Sequence, residues 1–155
     1  MHLADILSPH GVKVLAGLPS KRRLFQELGE MAASCWALQA PAVAEALMDR
    51  EGLGPTGVGR GVALPHARLS GVDRVRGLFL RLEKPLDFEA VDRAPVDLVF
   101  CLLAPAGAGV DHLRALALVS RTLREPSTCQ KLRANTDPAT LHTILTEGGP
   151  HNMAA

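Results

Sequence analysis

The chain has 155 residues, 47% hydrophobic and 21% charged, with a formal net charge of +1, the make-up of one globular domain with a single sizeable core. That balance argues against the broad basic footprint of a nucleic-acid binder, and 3% aromatics with no Tyr argue against a base-stacking platform. No uninterrupted apolar run reaches the roughly 20 residues needed to span a bilayer.

The opening MHLADILSPHG has neither the charged start nor the long apolar stretch of a secretory leader, so a cytoplasmic protein without membrane insertion is expected. From Ser20, a residue suited to N-capping, Leu24, Leu28, Met31, Ala32 and Cys35 recur at spacings of three and four, the stripe of an amphipathic helix. Pro41 is expected as the first residue of a second helix through Val43, Leu47 and Met48, ending at Gly52. GLGPTGVGRG, residues 52–61, reads as loop or turn because so many glycines disfavour either regular element. GVALP (61–65) reads as a short strand that Pro65 terminates, and VRGLFLRL (75–82) as a strand of imperfect alternation. PVDLVFCLLAP (95–105) is apolar almost throughout between prolines, the pattern of a strand buried on both faces. Asp111 then stands where a helix cap belongs, and Leu113, Leu116, Ala117, Ser120 and Leu123 repeat with helical spacing. Two short helices are expected from about Ser127 and from Asp137-Pro138, with 148–155 a flexible tail beyond one domain spanning 1–147.

Interleaved helices and strands around one buried strand predict a three-layer α/β domain with a largely parallel or mixed sheet. Cys35, Cys101 and Cys129 lack CxxC spacing and read as buried or half-buried free thiols.

Of the histidines, His2, His10, His142 and His151 read as solvated or packing residues. His66 follows the expected strand end, on a loop where α/β sheets carry reactive groups, and Pro65 stiffens the backbone entering it. His112 falls in the first turn of its expected helix, where free N–H groups and the helix dipole favour an anion. Two chemistries fit such a pair. A zinc site would need at least three protein ligands, and no HxxEH, HxH or HExxH spacing is present. The other is a neutral imidazole that attacks phosphorus and briefly carries the phosphoryl group, with the helix start, a second imidazole and arginines neutralising the dianion. No GK[ST] follows the glycines, so the donor is not expected to be a nucleotide held in a Walker loop.

The run ALMDREGLGPTGVGRGVALPHARL resembles the active-site segment of the fructose/mannitol-type (type-2) enzyme IIA domains of the bacterial phosphotransferase system. PVDLVFCLLAPAGAGVDHLRALALVSRTL resembles their second signature, and LADILSPHGVKVLAGLPSKRRLFQELGEMAA is most similar to the nitrogen-regulatory branch, enzyme IIA-Ntr. The resemblance covers about residues 3–147 and implies a mixed sheet of about five strands flanked by helices, with no cofactor and no metal. It implies that His66 is the phosphorylated nucleophile, that His112 hydrogen-bonds the imidazole or phosphoryl group, and that Arg50 assists with phosphate. Thr56 and Gly57 would lie in the loop that shapes the pocket, with Arg68 beside them as a further substrate-binding residue. Many relatives have Gly directly after the active histidine where this chain has Ala67, which bears on loop geometry or docking.

The implied function is a regulatory phosphocarrier. His66 would accept a phosphoryl group from an HPr-like carrier (NPr), and its state would govern binding to targets such as potassium-transport or sensor-kinase components. The alternatives are a sugar-specific enzyme IIA that passes the group to an enzyme IIB, and an interaction module that is never phosphorylated. On the first reading the alternating glycines leave N–H groups free to line an anion pocket, and Pro65 keeps His66 shallow. Val58, Val62, Leu64 and Leu69 are candidates for a docking face, with strand packing the competing role for Val62 and Leu64.

Overall fold

A computed structural model describes residues 1–107 and 109–147; the expected tail and His151 lie outside them. In chain order the elements are α1 (Leu3–Ile6), β1 (Val12–Leu15), α2 (Lys21–Trp36), α3 (Ala40–Glu51), β2 (Gly57–Gly59), β3 (Val62–Ala63), β4 (His66–Leu69), β5 (Arg76–Leu86), β6 (Val96–Pro105), α4 (Val110–Arg124), α5 (Pro126–Arg133) and α6 (Pro138–Glu147). A single turn of 3₁₀ helix, Pro9–Gly11, precedes β1.

β6 is the centre of the molecule. Its residues 98–104 are wholly buried, and their side chains alternate between two cores. Leu98, Phe100, Leu102 and Ala104 meet α1, α4, α5 and α6 through Leu3, Val119, Leu132 and Leu141. Val99, Cys101 and Leu103 meet α2 and α3 through Leu24, Phe25, Leu28 and Leu47. Three layers result, as the pattern predicts.

The sheet has six strands, one more than expected, in the order β1-β5-β6-β3-β2 with β4 also on β6. Three pairings are parallel (β1–β5, β3–β6, β4–β6) and two antiparallel (β2–β3, β5–β6). The extra strand arises because Pro65 does not end the run. Val62 faces Leu98, Ala63 faces Val99, and His66 faces Leu102, so the register is unchanged across Leu64-Pro65. Proline has no N–H to donate, but its carbonyl still accepts from Leu102 N–H at 2.9 Å. His66 therefore opens a strand and does not sit on a loop.

The glycine-rich stretch also departs from expectation. Gly57–Gly59 forms β2, hairpinned to β3 through Gly59, Arg60 and Gly61, all at positive φ. A Cβ on Gly61 would lie 2.5 Å from Arg133 Nη2. These glycines serve the turn at the end of β3 away from His66 and do not line its site. At Gly57 a Cβ would come within 2.8 Å of the Ala90 methyl, so a close chain approach demands glycine there.

Helix starts follow their sequence signals closely. Ser20 Oγ accepts from Arg23 N–H at 3.2 Å, and Pro41 occupies the first turn of α3. At α4 the cap position is Gly109, and Asp111 lies inside the first turn instead. α1 and β1, four residues each, carry no period long enough to read.

α2 and α3 cross where Gly29 meets the carbonyl of Ala40; a Cβ on Gly29 would lie 2.5 Å from that oxygen. Alanine would gain about 1 kcal/mol of helix propensity, but overpacking against backbone costs about 1–3 kcal/mol. Gly29→Ala is expected to lower the Tm in a thermal melt, and an unchanged Tm would show that the two helices can part without penalty.

Candidate active site

Strand alternation sorts the residues of β4. Ala67 and Leu69 turn into the α2/α3 core, which leaves His66 and Arg68 on the α4 side. The Ala67 methyl, 7% exposed, is thus spent on packing and points away from the imidazole. The methyl that distinguishes Ala67 from Gly lies on the face of the strand opposite His66.

His66 is half-buried. Its Nδ1 lies 2.9 Å from the Leu64 carbonyl, which can only accept, so Nδ1 carries the hydrogen and the lone pair of the neutral ring is on Nε2. Arg50, in the last turn of α3, donates from Nε to that Nε2 at 3.3 Å and from Nη1 to Gly54 O at 3.0 Å. Burial pushes the His66 pKa below its ordinary 6.5; the Leu64 carbonyl opposes the shift, the Arg50 charge adds to it, and Glu51 opposes it.

β6 runs into α4, and α4 brings His112 back beside His66. The two rings lie 5.4 Å apart between centroids, nearly edge to face. Arg68 Nε donates to His112 Nδ1 at a long 3.4 Å, so the remaining hydrogen of a neutral His112 is on Nε2. That Nε2 is buried and has no hydrogen-bond partner among the described residues. Burial again lowers the pKa, followed by the like charges of His66 and Arg68. The result is a pair of neutral imidazoles and two guanidinium groups, with the His66 Nε2 lone pair accepting from Arg50 and the His112 Nε2–H buried without a partner among the described residues. Donors and positive charge converge there, an arrangement that favours an anion.

Thr56 is 5% exposed. Its amide and hydroxyl both donate to Glu51, the hydroxyl to Oε1 at 2.6 Å and the amide to Oε2 at 3.0 Å. Thr56 and Gly57 thus belong to the wall behind the site, with their polar groups or space already used. Glu51 escaped sequence reasoning: its neighbour in DRE is Arg50, but its cationic partner, Lys21 at 3.0 Å, lies thirty residues away in sequence.

Among the docking candidates, Val62 and Leu64 are buried and Leu69 packs on the α2/α3 core. Strand packing is their role, and only Val58 is exposed. Exposed apolar side chains near the site come instead from Leu53, beside the loop that Arg50 braces, and from Val110 and Leu113, which flank His112. His142 Nε2–H donates to the Leu7 carbonyl, 2.9 Å away, as a packing residue. Cys101 and Cys129 are buried and Cys35 half-buried, all free thiols. No group of three or more His, Cys, Asp or Glu among the described residues is arranged to hold a metal ion.

Residues 5–148 match the family model described as phosphoenolpyruvate-dependent sugar phosphotransferase system, EIIA 2. A nitrogen regulatory protein of Bradyrhizobium diazoefficiens is 45% identical over 145 residues, covering 94% of this chain and 95% of the relative. The crystal structure of nitrogen regulatory protein IIA-Ntr from Neisseria meningitidis superposes with a TM-score of 0.85 at 36% identity, over 93% of this chain and 99% of that one. The mannitol IIA of Escherichia coli, at 19% identity and a TM-score of 0.75 over 89% of this chain and 97% of that one, shares the fold. An imidazole pair braced by arginine at one end of a mixed six-stranded sheet thus sits in a chain that belongs to the type-2 enzyme IIA family of the phosphotransferase system.

Proposed function

We propose that this protein is a nitrogen-regulatory phosphocarrier in which His66 Nε2 accepts a phosphoryl group from a phosphohistidine of an HPr-like carrier of the NPr type. Its phosphorylation state then sets its affinity for regulatory targets, such as potassium-transport or sensor-kinase components. The regulatory role is supported by whole-length similarity to nitrogen regulatory proteins. A cytoplasmic place goes with this reading, and no helix among the described residues is long and apolar enough to cross a membrane.

One observation carries the chemistry: the Nδ1–H bond to the Leu64 carbonyl, which leaves the Nε2 lone pair beside Arg50. In the transfer Arg50 Nε releases that lone pair and turns to the phosphoryl oxygens; the lone pair forms the new N–P bond as the donor's N–P bond breaks, and the carrier's imidazole recovers its own lone pair. His66 keeps its Nδ1 hydrogen throughout. Little covalent work remains for the protein, so positioning and charge supply the catalysis. Arg50 and the unsatisfied Nε2–H of His112 neutralise the phosphoryl oxygens, and Arg68 holds the His112 ring from behind. Leu53, Val110 and Leu113 give the visiting carrier an apolar rim.

With phosphoenolpyruvate, enzyme I and the carrier, His66→Ala is expected to take up no label; label persisting on that variant would overturn the assignment. Loss of one oxyanion-type donor typically costs 10²–10³-fold in rate, and this partly solvated site should sit at the lower end. His112→Ala should therefore still be labelled, but about 100-fold more slowly; unchanged rates would make His112 structural only. Supplying the phosphorylated protein with a cognate enzyme IIB and sugar should yield no sugar phosphate, and its formation would favour the transport role.

Both imidazoles have folded-state pKa values lowered from 6.5, so the unfolded chain takes up protons first as pH falls. Their contribution to stability is complete above about 6.5 and is lost as pH drops from there through the folded values. The Cε1–H resonances of both rings should titrate with midpoints below 6.5, and a midpoint above it would contradict the burial-dominated electrostatics.

A further inference from the structure

α3 ends in two charged residues that leave it in different directions. Arg50 reaches His66, and Glu51 turns inward with a side chain only 6% exposed. A buried carboxylate must be compensated, and here every donor around it is accounted for. Lys21 Nζ lies 3.0 Å from Oε2, the Thr56 amide 3.0 Å from the same oxygen, and the Thr56 hydroxyl 2.6 Å from Oε1. Lys21 is itself fixed by Glu89 at 3.2 Å and by the face of Phe88, 5.2 Å from the ring centre.

From Glu51 an unbroken set of contacts leads to the nucleophilic ring. Glu51 holds the Thr56 amide. The Thr56 carbonyl accepts from Leu64 N–H at 3.0 Å, and the Leu64 carbonyl accepts from His66 Nδ1–H at 2.9 Å. A second route runs through the intervening loop, where the Gly54 amide donates to the Glu51 carbonyl at 3.1 Å and the Gly54 carbonyl accepts from Arg50 Nη1 at 3.0 Å. Both the carbonyl that fixes the His66 tautomer and the loop that fixes the Arg50 fork are therefore tied to this one residue.

We infer that Glu51, charged and pinned by Lys21, is a positioning residue for phosphoryl acceptance, acting through Thr56 and Leu64 to hold the lone pair of His66 on Nε2. The inference rests on the proposed role of His66 as nucleophile. Shape alone does not suffice for this task. The carboxylate accepts at both oxygens, whereas an amide of the same size presents NH₂ at one of them: on the Oε2 side it would face Lys21 and the Thr56 amide, which only donate, and on the Oε1 side the Thr56 hydroxyl would have to reverse its bond. The Thr56–Leu64 segment would then shift. Displacements of about 1 Å at a transfer site cost as much as 10²-fold in rate.

The test uses the whole chain, with ¹⁵N-histidine spectra of the resting protein at pH 8 and steady-state phosphorylation by the carrier. Wild type should show His66 with Nδ1 protonated and Nε2 bare. Glu51→Gln should give a mixed tautomer and a kcat lowered about 10–100-fold, with KM for the carrier within about threefold. Thr56→Val, which keeps the amide and removes one hydroxyl bond, should fall in between, and Thr56→Ser should restore both readouts. Should Glu51→Gln fail to fold, the Thr56 pair decides alone. A folded Glu51→Gln with wild-type tautomer and kcat, or a Thr56→Val indistinguishable from Thr56→Ser, would overturn the inference. Absence of label on His66 in wild type would sink the phosphocarrier reading instead, while the tautomer spectra would still report whether Glu51 sets the ring.

Discussion

The site depends on the constant register between residues 62–69 and the buried strand β6. That pairing sets His66 opposite Leu102, near the end of β6, so the chain leaving the strand needs only one short connection before α4 begins at Val110. His112 is then carried back over the sheet to within 5.4 Å of His66. A slip of one residue would turn His66 and Arg68 into the α2/α3 core and Ala67 and Leu69 out of it. Hydrophobic burial on both faces of β6 forbids that slip, and the same burial that stabilises the fold thereby aims the imidazole.

Around that framework the electrostatics are one-sided. Two imidazoles are kept neutral mainly by burial, and two arginines stand against their ring nitrogens. The carboxylate of Glu51, which acts electrostatically on His66, has its charge turned toward Lys21 and Thr56. What remains is a buried donor with no partner among the described residues, His112 Nε2–H, on the ring beside His66. A buried unsatisfied donor costs about 1–3 kcal/mol. Under the proposed reading, a phosphoryl oxygen supplies that donor with an acceptor.

Family membership and geometry meet at the same residues without being the same evidence. The match over residues 5–148 and the IIA-Ntr neighbour establish fold and family. The hydrogen bonds of Leu64, Arg50 and Arg68 to the two rings are what the proposed mechanism draws on in this chain. They also account for Ala67, whose methyl lies in the core on the far face of the strand.

Much of this protein was legible from its sequence because the signals are local. The stripes of α2 and α4, the doubly apolar run of β6 and the three-layer class follow from periodicity, and the pairing of His66 with Arg50 and His112 follows from two motifs matched to a family. Pro65 and the glycines misled for an equally physical reason. A proline reads as a strand end, but the sheet tolerates one missing donor when the carbonyl beside it still pairs and the flanking residues are held in register. The glycines read as the lining of an anion pocket, but positive φ at a hairpin and an approach to Ala90 within contact distance account for them. Only the tertiary structure decided which nitrogen of His66 is bare, that His112 holds an unsatisfied donor, and that Lys21, Glu51 and Thr56 stand behind them. Hydrogen bonds between residues distant in the chain leave no period in the sequence; they exist once the layers close.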